Sequence, residues 1–416
     1  MNIQEIRKAF SNCECGNKHE FNIKDIVVES NATSRLGEIL KKNKFPKNIF
    51  VVADKTTLRV SQGIQKALKD FNATYYIYEQ LRVATMQEVN KIEDLIKGQD
   101  IGVLAVGTGS IHDTCRMATA RQSKMLCLFA TAPSMDGFAS YNAPIVDNNF
   151  KITYEAKSPE VIIADTKILA SSPSELKSAG FGDMVAKYVA LIDWQVSHLI
   201  TGESYCKRVA GLTRYATDKV FEMADKVTLN DEECAKKIFE GLILTGIAMS
   251  FTKTSRPASG TEHIMAHFIE CKELLENKLP NYHGRDVGVC TLKVLKYYQK
   301  LSKFKKVTCE KEKINWNDVK EAYSKLYPEV EKLNTPDTIT DSIDPRKIEE
   351  NWEEIVSIIK SVPSYKEVKK KMKTAGCDLT FRDIKKPRKL VKTCLRYHPY
   401  MRRRLSLYRL SFMIKK

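Results

Sequence analysis

The stretch IGVLAVGTGSIHD, residues 101–113, sets the fold class. Its first half is an unbroken run of small and branched apolar residues ending at Gly107. Such a run predicts a strand buried on both faces of a mainly parallel sheet. Its second half opens a helix. Gly107 and Gly109 let the backbone approach a ligand closely, and Ser110 with the free N–H groups of the helix start is placed to hold an anion. The expected anion is a pyrophosphate, because the turn follows a central strand at its carboxyl end. Tight strand-to-helix turns also use glycine for steric reasons alone, so the surrounding pattern has to carry the assignment.

Outward from this stretch, similar apolar runs recur at NIFVVAD (48–54), TYYIYE (74–79), MLCLFAT (125–131) and EVIIAD (160–165). Helical patterns fill the gaps between the first four strands. This is the rhythm of a parallel sheet with helices on both faces. NAPIVDNNFKITYEAKSP (142–159) reads as a hairpin excursion around its central Asn pair. From about residue 175 the period becomes helical. SPSELKSAGFGDMVAKYVALIDWQVSHLI (172–200) predicts a long helix capped by Ser172, with Glu175 three residues on. The expectation is an α/β Rossmann-like domain over 1–172, which would bind a dinucleotide, and an all-α domain over 173–416.

The bulk numbers fit a folded protein of about two domains: 416 residues, 43% hydrophobic and 29% charged. No run of 18 apolar residues occurs and the N-terminus lacks a secretory core, so a cytoplasmic protein without a transmembrane segment is expected. The 11 cysteines show no framework spacing and read as free thiols. Cys13, Cys15 and His19 in CECGNKH resemble half a zinc knuckle. No second CxxC-type half follows nearby, so the segment reads as a surface loop. The net charge is +17, but residues 365–416 hold 18 Lys and Arg against 3 Asp and Glu. The imbalance is a property of the tail, so nucleic-acid binding is not expected. Leu405, Leu407 and Leu410 suggest that the tail packs.

Four further stretches carry candidate chemistry. Asp54 ends a strand and suits either a ribose hydroxyl or a simple helix cap. TAPSMDGFAS (131–140) gathers Thr131, Ser134, Asp136 and Ser140 at another strand's carboxyl end, where substrates bind. AGFGDMVAK (179–187) places Asp183 after a flexible GFG, with Lys187 one turn later. SRPASGTEHIMAHFIE (255–270) carries His263 and His267 on one helical face, and YHGRDVGV (282–289) supplies His283. One Asp and two His from separate helices make a three-ligand metal site with an open position. Two histidines four apart are equally often core or surface residues.

Taken together, GTGSIHD, TAPSMDGFAS, AGFGDMVAK, the DW pair at 193–194 and GIAMSFTKTSRPASGTEHIMAHF resemble the iron-containing alcohol dehydrogenase superfamily, whose fold is dehydroquinate synthase-like. SRPASGTEH with SMDGFAS is similar to the sn-glycerol-1-phosphate dehydrogenase (AraM-type) branch. The resemblance implies a metal-dependent oxidoreductase that uses NAD(H) or NADP(H) to interconvert dihydroxyacetone phosphate and sn-glycerol 1-phosphate. It implies Asp183, His263 and His283 as ligands of one divalent metal, with Lys187 where iron-dependent relatives carry a further His, so zinc or nickel is expected over iron. It implies a cofactor site from Asp54, Gly107, Thr108, Gly109, Ser110, Asp113, Thr131 and Ser134, with Asp54 mildly favouring NADH. His267 and Asp136 are the expected catalytic groups near the nicotinamide. Arg256, Ser255 and Ser259, with Lys187 as a second cation, are the expected phosphate ligands, Asp136 meets the substrate hydroxyls, and a homo-oligomer is expected. The alternatives are a glycerol or other polyol dehydrogenase, or a cyclase related to dehydroquinate synthase.

Overall fold

A computed structural model describes residues 2–415. Six strands form one parallel sheet: β1 (Asp25–Glu29), β2 (Asn48–Asp54), β3 (Asn72–Tyr78), β4 (Gly102–Gly107), β5 (Leu126–Ala130) and β8 (Val161–Asp165). Their order across the sheet is β1-β8-β5-β4-β2-β3, every pairing parallel. β4, β5 and β8 are buried along their whole length, which is why their sequences are uniformly apolar. The chain leaves β2 towards one edge and leaves β4 towards the other. The carboxyl ends of these neighbouring strands therefore flank a crevice of the kind that binds ligands in open α/β sheets. β6 (Asn142–Asp147) and β7 (Phe150–Glu155) form a separate antiparallel hairpin. Asn148 and Asn149 both take positive φ in its turn, the conformation a two-residue hairpin loop demands.

The second body is built on the helices α3 (Ser174–Thr201), α4 (Glu232–Thr252), α5 (Thr261–Leu275) and α6 (His283–Leu301). Two expectations need correction. Ser172 does not cap α3, which starts after Pro173; the Ser172 hydroxyl donates to the Leu169 carbonyl at 2.7 Å, and Glu175 pairs with Arg285. The GFG before Asp183 is no flexible lead-in but the middle of α3. A Cβ on Gly180 would lie 1.8 Å from the Pro133 carbonyl oxygen, and one on Gly182 would lie 2.8 Å from that of Gly284. Glycine is there so that α3 can touch the loop 131–140 and α6.

The N-terminal end of the chain packs on the helical body rather than on the sheet. The short helix α1 (Ile3–Phe10) and the segment after it pack on the helical body, with Phe10 and Phe21 against Phe251 at ring distances of 4.6 and 5.6 Å. The basic tail is a structural part of the same body. Leu405, Leu407 and Leu410 are buried, Arg409 is ion-paired with Glu312 at 2.8 Å, and Ile414–Lys415 pairs with Thr308–Cys309. Asp193, fully buried in α3, joins the parts. It accepts from the Tyr298 hydroxyl (2.6 Å), the Thr261 N–H (2.7 Å) and the Leu407 N–H (2.9 Å). Burial and the nearby Glu262 push its pKa up to about 6. Among the described residues, no helix is long and apolar enough to cross a membrane.

Candidate active site

One large pocket lies between the two bodies. It is lined on the sheet side by Thr108–Ser110 and Ser134–Gly137, and on the helical side by Ser255, Ser259, His263, His267, Glu270 and His283. The turn after β4 begins a 13-residue helix, Gly109–Arg121, with free N–H groups facing the pocket. Ser110 donates its hydroxyl to the Arg82 carbonyl at 2.7 Å, and the Arg82 guanidinium stacks on Tyr282 across the cleft.

The loop 131–140 is held from below by a buried ion pair. Arg116 bonds Asp113 at 2.5 Å and donates to the carbonyls of Gly137 (2.6 Å) and Phe138 (3.1 Å). Asp113 lines the pocket, but one of its oxygens is committed to Arg116; burial, partly offset by that arginine, raises its pKa to about 6. Thr131 is buried, and its N–H donates to the Gly107 carbonyl. Asp54 accepts from the Thr57 N–H at 2.8 Å in a capping box, beside the β4 turn.

Asp183 and His263 face each other, and the His283 ring lies next to that of His263. Asp183 Oδ1 lies 3.3 Å from His263 Nε2, about the ligand-to-ligand spacing around a tetrahedral zinc with bonds near 2.0–2.1 Å. The His263 and His283 ring centres are 5.3 Å apart. Their outer nitrogens are taken: His263 Nδ1 by Glu262 at 2.6 Å and His283 Nδ1 by Glu270 at 2.8 Å. Carboxylates holding Nδ1 leave Nε2 as a lone-pair donor, the usual support of a metal-binding imidazole. The residues present therefore fit a divalent metal.

Glu270 also holds His267 Nδ1 at 3.0 Å and pairs with Lys151 at 2.9 Å. Burial would raise the Glu270 pKa, but Lys151 and the two imidazoles hold it well below the usual carboxylate range. A carboxylate only accepts, so both rings carry their proton on Nδ1. Burial and Lys151 keep His267 itself neutral, its pKa well below 6.5. Burial disfavours a charged His263, yet its bonds to Asp183 and Glu262 raise its pKa to about 9, so a metal at Nε2 would displace a proton from that nitrogen.

Two expected phosphate ligands are placed elsewhere. Lys187 is fully buried and its ammonium lies between Asp183 (2.7 Å) and Asp136 (2.5 Å), so it neutralises two carboxylates and has no reach to substrate. The Arg256 guanidinium turns away from the pocket. Glu203 takes it with both oxygens, at 2.7 and 2.5 Å, and Ser197 and the Leu405 carbonyl take the rest. A guanidinium beside a helix start looked suited to phosphate; its carboxylate partner 53 residues away was not visible. Ser255 and Ser259 do line the pocket. The residue beside them is Arg404, which donates to the Ser255 hydroxyl and the Ser259 carbonyl, both at 2.8 Å.

Glu262, Glu270, Lys151 and Arg404 were not singled out in the sequence. Glu270 had a signal: it stands three residues after His267 and seven after His263, on the same helical face. Arg404 had none, being 145 residues from its serine partner.

The sequence profile of the family described as iron-containing alcohol dehydrogenase matches residues 27–173. A glycerol-1-phosphate dehydrogenase (NAD(P)+) from Halalkalibacterium halodurans is 32% identical over 305 residues, covering 71% of this chain and 76% of that protein. One from Pyrococcus furiosus is 30% identical, covering 73% and 82%. Among solved structures, an NADH-dependent butanol dehydrogenase from Thermotoga maritima superposes with a TM-score of 0.63 at 13% identity, covering 97% of each chain. The glycerol dehydrogenase of Schizosaccharomyces pombe gives 0.58 at 17% identity, over 89% of this chain and 96% of that one. The chain belongs to the glycerol-1-phosphate dehydrogenase branch of the iron-containing alcohol dehydrogenase family.

Proposed function

We propose that this protein is a metal-dependent oxidoreductase that uses NAD(P)H to reduce dihydroxyacetone phosphate to sn-glycerol 1-phosphate, reversibly. The observation that carries the phosphate is an unmatched positive charge beside the histidine cluster. Arg402 and Arg404 are partly buried, and among the described residues neither has a carboxylate within ion-pair distance. Burial and the neighbouring Arg256 and Arg402 lower the Arg404 pKa to about 9. Sequestered guanidinium charge without a counter-ion favours a bound anion. Arg402, Arg404, Ser255 and Ser259 line a cavity that shares His267 with the main pocket. A phosphate held there puts a three-carbon substrate against His267 and the metal ligands.

In this reading Asp183, His263 and His283 hold the metal, which supplies a Lewis acid to polarise the carbonyl. Three protein ligands and an open position, with Lys187 occupying the next turn after Asp183, favour zinc or nickel over iron. The turn Gly107–Ser110 holds the cofactor pyrophosphate, Asp54 faces the adenosine ribose, and Thr131 and Ser134 line the cofactor path. Asp136, its backbone N–H bonded to Asp183 at 3.0 Å, faces the substrate hydroxyls. His267 is neutral with its Nε2 lone pair towards the pocket. In the oxidation direction it accepts the hydroxyl proton, directly or through water, and in the reduction direction it returns it; the proton passes through this ring rather than resting on it.

The test is NADH and NADPH oxidation by metal-loaded protein with dihydroxyacetone phosphate and unphosphorylated dihydroxyacetone side by side. A strong preference for the phosphate, lost on chelation, is expected. Equal or exclusive use of the unphosphorylated ketone moves the protein to the polyol dehydrogenases. Arg404→Met is expected to lower kcat/KM for the phosphorylated substrate about 10- to 150-fold, the worth of a hydrogen bond to a charged group of about 1.5–3 kcal/mol, and to leave dihydroxyacetone turnover near wild type. Arg256→Met is expected to lower the melting temperature and to affect both substrates alike, because it strands Glu203.

A further inference from the structure

The CECGNKH segment is not a free surface loop. Gly16 turns it back on itself at φ +75°, with its N–H donating to the Cys13 carbonyl. His19 then points into the helical body, buried between Phe10 and Phe251. There the three residues meet Cys206, which is 187 positions from His19 in the chain. Cys13 Sγ lies 3.5 Å from Cys206 Sγ. His19 Nε2 lies 3.2 Å from Cys15 Sγ and 3.4 Å from Cys206 Sγ. All four donor atoms fall within 4.8 Å of one another.

We propose that Cys13, Cys15, His19 and Cys206 form a closed tetrahedral zinc site that fastens the N-terminal segment to the helical body, apart from the catalytic pocket. Zinc bound to Cys3His at about 2.3 Å for sulfur and about 2.0–2.1 Å for nitrogen puts donors about 3.6–3.8 Å apart. The observed spacings, 3.2–3.5 Å, are a few tenths of an ångström shorter, so the donors already stand close to the positions a zinc would hold. They are far longer than the roughly 2.05 Å of a disulfide, and all four positions carry free thiols or imidazole. Three soft sulfurs select zinc over magnesium, calcium or manganese. Four protein donors leave no open position, which is the structural rather than the catalytic pattern.

The surroundings are those of a finished site. His19 Nδ1 lies 3.2 Å from the Phe251 carbonyl oxygen, which fixes the tautomer with Nε2 free for metal. Cys206 stands at the N-cap of the helix Lys207–Glu222, the positive end of its dipole, where a metal-bound thiolate is favoured. The position also explains a use. Cys206 follows Glu203, the partner of Arg256, and Phe251 precedes the loop that carries Ser255 and Ser259. A zinc here braces the wall of the substrate cavity without touching its contents. The half-knuckle misses its second half in the sequence because that half is a single cysteine on a distant helix.

The test uses the full chain loaded with Co2+ in place of Zn2+. The catalytic donor set offers only oxygen and nitrogen, so a thiolate-to-cobalt charge-transfer band in the near ultraviolet reports this cluster alone. The expected result is an intense band in the wild-type protein, lost in Cys15→Ser and in Cys206→Ser, together with loss of one equivalent of zinc by elemental analysis and a lower melting temperature. Titration of the wild-type protein with a mercurial should release that same equivalent, which needs no variant to fold. Absence of the band in wild-type protein, or unchanged zinc content in both variants, overturns the proposal. So does a Cys13–Cys206 disulfide in metal-free protein isolated with its other thiols reduced.

Discussion

Glu270→Gln is expected to weaken metal binding by about 10- to 100-fold and to leave turnover depressed even at saturating metal. The reason is tautomeric. As a carboxylate, Glu270 accepts from His267 Nδ1–H and His283 Nδ1–H at once, at 3.0 and 2.8 Å. A glutamine of the same shape offers one carbonyl and one amide. The ring facing the amide must accept at Nδ1, which moves its proton to Nε2 and closes the nitrogen that faces the pocket. If His283 is the ring that switches, it loses its metal lone pair; if His267 switches, the proton path is blocked. Competition against a chromogenic chelator separates the first loss, and kcat under excess metal reads the second. Wild-type affinity and kcat in the variant would mean that Glu270 orients neither ring.

The second large effect is expected from Gly180→Ala, which adds a methyl group where the packing has no room for one. Its Cβ would stand 1.8 Å from the Pro133 carbonyl oxygen, backbone against backbone. Overpacking usually costs about 1–3 kcal/mol, and here no flexible side chain can yield, so the upper end is expected in a denaturant titration. The same displacement pushes the loop that carries Ser134 and Asp136. Misplacing reacting groups by about 1 Å costs on the order of 100-fold in rate, so kcat should fall in the fraction that still folds. Gly211→Ala is the control. It lies on the helix Lys207–Glu222 with nothing near its added Cβ, and should gain about 0.5–1 kcal/mol from helix propensity.

The sheet was legible because its central strands are buried on both faces and so are written in uninterrupted apolar residues. β3 was placed two residues late, at 74 rather than Asn72, because this edge strand is half exposed and its pattern is diluted. β1, five residues of mixed burial, left too little pattern to find. That Asp183, His263 and His283 belong to one neighbourhood was legible through their motifs. What the motifs did not carry was the use of charge: Lys187 and Arg256 look alike as candidate phosphate ligands until their carboxylate partners are seen, and Arg404 and Cys206 acquire meaning only when segments 145 and 187 residues apart are brought together.

The clasp on Asp193 has a consequence for the order in which the molecule is made. Its carboxylate is shared by α3, α5, α6 and the tail, and Leu407 is 214 residues downstream. At roughly 5–20 residues per second on a ribosome, about 10–40 s separate the appearance of the two. The parallel sheet, complete by Asp165, can therefore fold while the helical half still waits as an open cup with an unsatisfied acid in its floor. Arg404 arrives in the same late instalment, so a nascent chain completes the cavity beside Ser255 and Ser259 and closes its core together.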